Sequence, residues 1–88
     1  MKSALRVLKV FVSTGCRGCK RALELVAWLR TIRPDLIIEI IDLAKQPDAG
    51  LGLVFAVPTY VYDSKPIFLG NPSPQELQKR LGELCPEV

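Results

Sequence analysis

Leu36-Ile37-Ile38-Glu39-Ile40-Ile41 is a near-continuous, strongly β-branched apolar run. A run of that kind suits an interior strand of a parallel sheet, buried on both faces. A second apolar segment, Leu5 to Val12, precedes it in the chain. Between the two, Ala22, Leu25, Val26 and Leu29 recur at i, i+3, i+4 and i+7, the core face of a helix placed from Cys19 to about Arg33. Arg17, Lys20, Arg21, Glu24 and Thr31 fall on the opposite face, and Pro34 stops the helix. Trp28 lies nearer the polar face, where it either packs partly against a neighbouring element or meets a partner. Strand, helix, strand then implies a right-handed βαβ crossover and an α/β fold.

The rest of the chain continues that plan. Residues 42 to 56 are expected to form one or two helical turns, because Pro47-Asp48 can open a helix that Gly50 and Gly52 weaken. Thr59 to Tyr62 and Pro66 to Leu69 read as strands joined by the short Asp63-Ser64-Lys65 connection of a hairpin. Proline cannot donate to a ladder, so the strand holding Pro66 belongs at a sheet edge. Ser73-Pro74-Gln75-Glu76 is a capping box with proline at the first helical position, and Leu77, Leu81 and Leu84 make the apolar stripe of a last helix that Pro86 ends. Cys85 shares the stripe and reads as a small buried hydrophobe. The order is β-α-β-α-β-β-α, one domain over residues 1–88.

Cys16-Arg17-Gly18-Cys19 follows the turn Ser13-Thr14-Gly15, between the first strand and the first helix. A thiol at a helix N-terminus faces unpaired backbone N–H groups and the positive end of the helix dipole, and both favour the thiolate that attacks disulfides. The first cysteine is expected to cap the helix and the second to point into its first turn. Pairs with this spacing also hold metals, but a closed zinc site takes four N or S ligands. This chain has three cysteines and no histidine. The basic residues Arg17, Lys20 and Arg21 are a second aid to the thiolate, or a solvated face. The net charge of +3 is too small and scattered to imply nucleic acid. No apolar run approaches the ~20 residues of a membrane span, and Lys9 breaks the only N-terminal apolar stretch, so neither a membrane nor a signal peptide is expected. A cytoplasmic protein is the expectation, in which a C-x-x-C beside a βαβ unit reads as catalytic.

Three features coincide: the C-x-x-C between first strand and first helix, Val57-Pro58-Thr59 before the third strand, and Gly70 after the fourth, leading into a final helix. Together they resemble the thioredoxin/glutaredoxin superfamily in its short form, over nearly the whole chain. The resemblance implies a thioredoxin-like fold, a mixed four-stranded sheet flanked by helices. It implies a cis Val57–Pro58 bond lying against the C-x-x-C, and a Val57 backbone that offers N–H and C=O to an extended substrate. It also implies a thiol–disulfide oxidoreductase in which Cys16 and Cys19 are catalytic and Val57, Pro58, Thr59 and Arg17 meet substrate. The expected partners are a disulfide-containing protein or small molecule and a thiol reductant or reductase. No cofactor is expected, and the expected state is a monomer.

The chain departs from the family pattern at named positions. Thioredoxins carry tryptophan before the first cysteine and Gly-Pro between the two; here stand Gly15 and Arg17-Gly18. Their buried acid, six positions before the first cysteine, is replaced by Val10. The glutaredoxin anchors for glutathione are replaced by uncharged Ser13-Thr14-Gly15 and by Gly70-Asn71-Pro72-Ser73. Two alternatives stand beside this one. The first is a soft-metal module, since two thiolates suit Cu(I) or zinc; copper-chaperone domains place C-x-x-C similarly but carry methionine where Thr14 stands and end on a strand. The second is a thioredoxin-fold interaction domain whose thiols are incidental.

Overall fold

The structure, a computed structural model, describes residues 6–52 and 56–86 of the 88-residue chain. β1 (Val7–Val12), α1 (Cys19–Ile32), β2 (Ile37–Asp42), β3 (Thr59–Tyr62), β4 (Lys65–Leu69) and α2 (Pro74–Leu84) follow in order. The four strands form one mixed sheet in the order β2-β1-β3-β4. β1 runs parallel to β2 and antiparallel to β3, and β3 pairs antiparallel with β4. Leu5, the expected first residue of β1, lies outside the described residues.

Pleating sorts the side chains. Leu8, Val10 and Val12 point to one face of β1, and Tyr60 joins them because it lies opposite Val10 in the β1–β3 register. These residues and Ile38 form one buried cluster with Ala22, Leu25, Val26 and Leu29 of α1 and Leu77 and Leu81 of α2. Both helices therefore cover the same sheet face. Leu77 and Leu81 are fully buried, and burying a leucine side chain contributes about 1.5–3 kcal/mol. The capping box forms as read: Glu76 N–H donates to Ser73 Oγ at 3.1 Å, and Ser73 N–H donates to Glu76 Oε1 at 2.9 Å. A cap of this type is worth about 1 kcal/mol. Trp28 is half-buried against the core, the packing alternative of the two raised for it.

Two expectations change. β2 is an edge strand, not an interior one. Its apolar run reports neither burial on both faces nor whether another strand lies beyond it. Ile38 is buried, while Ile37 and Ile40 are 45% and 38% exposed. The helical turns expected after β2 are single hydrogen-bonded turns among the described residues. Gln46 N–H reaches Asp42 O at 2.9 Å and Ala49 N–H reaches Gln46 O at 3.0 Å. Asp42 Oδ1 accepts from Ala44 N–H at 2.9 Å, a local competitor to helix, and Gly52 takes φ +81°. Residues 53–55 of that stretch lie outside the described residues.

The other edge agrees with the sequence. β4 carries Pro66 at the sheet margin, and the β3–β4 ladder shifts register between Tyr60 and Val61, where the proline enters. Asp63 and Ser64 take φ of 54° and 63°, the left-handed pair that a tight hairpin turn requires.

Candidate active site

The end of β1 and the start of α1 carry the cysteines. Gly15 turns the chain at φ +77°, a conformation that costs glycine little. Helix α1 begins at Cys19, and its N-cap is Gly18. Cys16 therefore precedes the cap by two residues and does not itself cap the helix, contrary to the expectation from sequence. Its carbonyl is reached by Cys19 N–H at 3.4 Å. Among the described residues no side chain caps the N-terminus of α1, and its first turn holds no acidic residue. The first-turn N–H groups thus keep their capacity to stabilise an anion, and no carboxylate in that turn competes for the helix dipole.

Cys16 and Cys19 are joined as a disulfide, with Cα atoms 5.3 Å apart. They differ in access: Cys16 is half-buried and Cys19 is 6% exposed within the core cluster. Arg17, Lys20 and Arg21 are exposed around them. Arg21 makes a long, exposed contact to Glu24 Oε1 at 3.5 Å. Val10, which stands where thioredoxins hold an acid, is fully buried opposite Tyr60 and supplies no carboxylate.

Two further segments close on this turn. The Val57–Pro58 bond is cis, as the resemblance implied. The proline ring lies against the C-x-x-C at Gly18: a Cβ on that glycine would stand 3.2 Å from Pro58 Cδ. Val57 is half-buried beside the core. Thr59 is fully buried and its hydroxyl donates to Ala56 O at 2.5 Å, so its side chain anchors the entrance to β3. Gly70, at φ +92°, donates its N–H to Pro58 O at 2.8 Å.

Two residues at the site escaped sequence reasoning. Asn71 donates from Nδ2 to Gly18 O at 2.8 Å and accepts the Tyr60 hydroxyl on Oδ1 at 3.0 Å. Burial pushes the Tyr60 phenol up to about 12, with Arg21 acting weakly the other way. Asn71 stands 53 residues from its partner, and no local pattern marks such a contact. Cys85, the C-cap of α2, is a buried free cysteine whose carbonyl accepts from Arg33 Nη2 at 2.6 Å. Among the described residues no group of three or more His, Cys, Asp or Glu side chains is placed to hold a metal ion.

No protein-family model matches the chain, and no curated protein matches it in sequence. Solved structures do. Mitochondrial thioredoxin 3 of Saccharomyces cerevisiae, in its oxidised form, is similar with a TM-score of 0.77 and 26% identity, over 93% of this chain and 81% of that one. Thioredoxin 1 of Thermosipho africanus is similar with a TM-score of 0.67 and 27% identity, over 92% of this chain and 99% of that one. Thioredoxin f2 of Chlamydomonas reinhardtii, at a TM-score of 0.71 and 14% identity over 100% of this chain and 86% of that one, is alike in fold. The chain thus has a thioredoxin-like fold, with a two-residue-spaced cysteine pair between its first strand and first helix that is consistent with a thioredoxin-like redox motif.

Proposed function

We propose that the protein is a thiol–disulfide oxidoreductase that cycles between the Cys16–Cys19 disulfide and the dithiol. The observation that carries this is the difference in access across the pair: half-buried Cys16 stands before the uncapped N-terminus of α1, while Cys19 is buried behind it. In the reduced protein the Cys16 thiolate attacks one sulfur of a substrate disulfide. A mixed disulfide forms and one substrate thiolate leaves, taking a proton from water. Cys19 gives up its proton, attacks the Cys16 sulfur and releases the second substrate thiol. Two electrons have passed to substrate, and the Cys16–Cys19 disulfide is the product. A thiol reductant or a reductase returns the electrons by the same steps in reverse.

The segments around the pair supply the rest. Val57 presents backbone N–H and C=O to an extended substrate strand, Pro58 shields the pair without offering it a ligand, and exposed Arg17 meets the substrate beside the attacked sulfur. With Val10 in place of an acid, the proton of Cys19 has no carboxylate at that position to receive it. The yeast and Thermosipho proteins that share the fold at 26–27% identity are named as thioredoxins, which supports the same class of chemistry here.

Equilibration with dithiothreitol or glutathione buffers, followed by alkylation and mass spectrometry, tests the proposal. The expected result is a two-electron redox curve confined to Cys16 and Cys19. A pair that stays in one state across the buffer range overturns it.

A further inference from the structure

We infer that Asn71 is a positioning residue for the dithiol, clamping the Cys16–Cys19 turn from the loop that follows β4. The inference rests on the dithiol chemistry proposed above and adds a residue to it. Gly18 O accepts two hydrogen bonds: from Ala22 N–H at 3.0 Å, the first of α1, and from Asn71 Nδ2 at 2.8 Å. The orientation of the amide is not arbitrary. Gly18 O can only accept, so the NH₂ group of Asn71 must face it, which leaves Oδ1 for the Tyr60 hydroxyl at 3.0 Å. Tyr60 is fully buried and lies opposite Val10 in the sheet. The chain of bonds Tyr60–Asn71–Gly18 therefore runs from an interior strand of the sheet to one of the two residues between the cysteines.

The root of this clamp is also fixed. Gly70 N–H is bonded to Pro58 O at 2.8 Å, so Asn71 leaves the backbone at a point tied to the proline that packs on Gly18. A Cβ on Gly18 would meet Asn71 Nδ2 at 3.1 Å and Pro58 Cδ at 3.2 Å, so the side chain and the ring press on the same peptide.

The clamp matters most when the disulfide is open. Oxidised, the turn is held covalently. Reduced, no bond joins the two sulfurs, only the backbone through Arg17 and Gly18 links the cysteines, and the Gly18 peptide is what the rest of the fold still grips. Ring closure by two thiols is favoured in proportion to how often they meet in attacking geometry. Losing the Asn71 bond loosens the dithiol more than the disulfide. The effective concentration of one thiol at the other falls, and the couple becomes more oxidising.

Three proteins test this: wild type, Asn71→Ala and Tyr60→Phe. Asn71→Ala is expected to lower the effective concentration about threefold to tenfold, a shift of about 14 to 30 mV toward less negative potential, since tenfold is ~30 mV for a two-electron couple. Tyr60→Phe keeps the donor to Gly18 but frees the amide to turn, so its shift is in the same direction and smaller. In the reduced state, amide protons of Cys19 and Ala22 are expected to exchange faster in Asn71→Ala than in wild type. A purely structural asparagine would lower the stability of oxidised and reduced protein equally and leave the potential where it was. An unchanged potential, or unchanged exchange at Cys19 and Ala22, overturns the inference. A wild-type protein with no redox equilibrium overturns the oxidoreductase proposal instead, and the exchange comparison then still decides whether the clamp exists.

Discussion

Pro58 faces Gly18 across 40 residues of sequence, and a single added carbon on Gly18 would stand 3.2 Å from the proline ring. The backbone of Gly18, at φ −84° and ψ −8°, is one that alanine adopts without strain. The reason for glycine there is space. Gly18→Ala is expected to press on Pro58 and on Asn71 and to destabilise the protein by about 1–3 kcal/mol, the usual range for an overpacked site. Urea denaturation of the oxidised proteins measures it. Equal midpoints would mean that ring and amide give way freely, and that the site is looser than its distances indicate.

The two cysteines are expected to differ in kind. Cys16→Ser and Cys19→Ser should separate them when each is mixed with a disulfide substrate: Cys19→Ser accumulates a mixed disulfide through Cys16, and Cys16→Ser accumulates far less. In the reduced wild type, iodoacetamide is expected to modify Cys16 faster than Cys19 or Cys85, both of which are buried. Peptide mapping after short pulses reads the order. Equal rates at Cys16 and Cys85 would remove the case for an activated thiol at the end of α1.

Features written in local chemistry were legible in the sequence. The Ser73–Glu76 capping box lies within one turn, and the hairpin turn at Asp63-Ser64 needs only its two flanking strands. The cysteine pair was found because its spacing and its place between strand and helix are both local. What needed three dimensions was not legible. Residues 36–41 are apolar enough for a central strand, yet β2 takes the edge, since composition does not say how many strands lie beyond. The start of α1 at Cys19 was legible, but its cap is Gly18, two residues after the cysteine expected to fill that role. The Tyr60–Asn71–Gly18 chain links three separate segments, and a lone asparagine in a loop has no pattern that would single it out.

Both tyrosines of the chain are expected to titrate late. Burial raises the Tyr60 phenol to about 12. Tyr62 is pushed up to about 12 by its hydrogen bond to Cys85, with burial adding to it. The unfolded chain ionises its phenols near 10. Between these values the folded protein holds more protons than the unfolded one, so stability is complete below about pH 10 and falls as pH rises through 10 to 12. Absorbance at 295 nm should show no tyrosinate near pH 10 in the folded protein, and both groups near pH 10 in denaturant. A folded-state titration centred on 10 would contradict the burial of Tyr60.

At the acid end the decisive group is Asp35. Arg33, buried at the C-cap of α1, donates to it from Nε at 2.9 Å and from Nη2 at 2.7 Å, and Arg6 adds a third bond at 3.1 Å. The Arg33 hydrogen bonds hold the Asp35 carboxyl well below the usual carboxylate range. The same guanidinium donates to Cys85 O, and Arg6 donates to Pro86 O at 2.9 Å, so the acid-sensitive pair also fastens the end of α2. Glu76 is lowered as well, chiefly by the Ser73 backbone N–H of the capping box. A depressed carboxyl contributes stability that is complete above its unfolded value near 4 and is lost as pH falls through that value toward the folded one. The wild-type denaturation midpoint is therefore expected to fall steadily below about pH 4. Asp35→Asn should be less stable than wild type at pH 7 and show a flatter acid limb. Adding Glu76→Gln should flatten it further. Parallel acid limbs in Asp35→Asn and wild type would mean that the ion pair at the end of α2 carries none of the pH dependence.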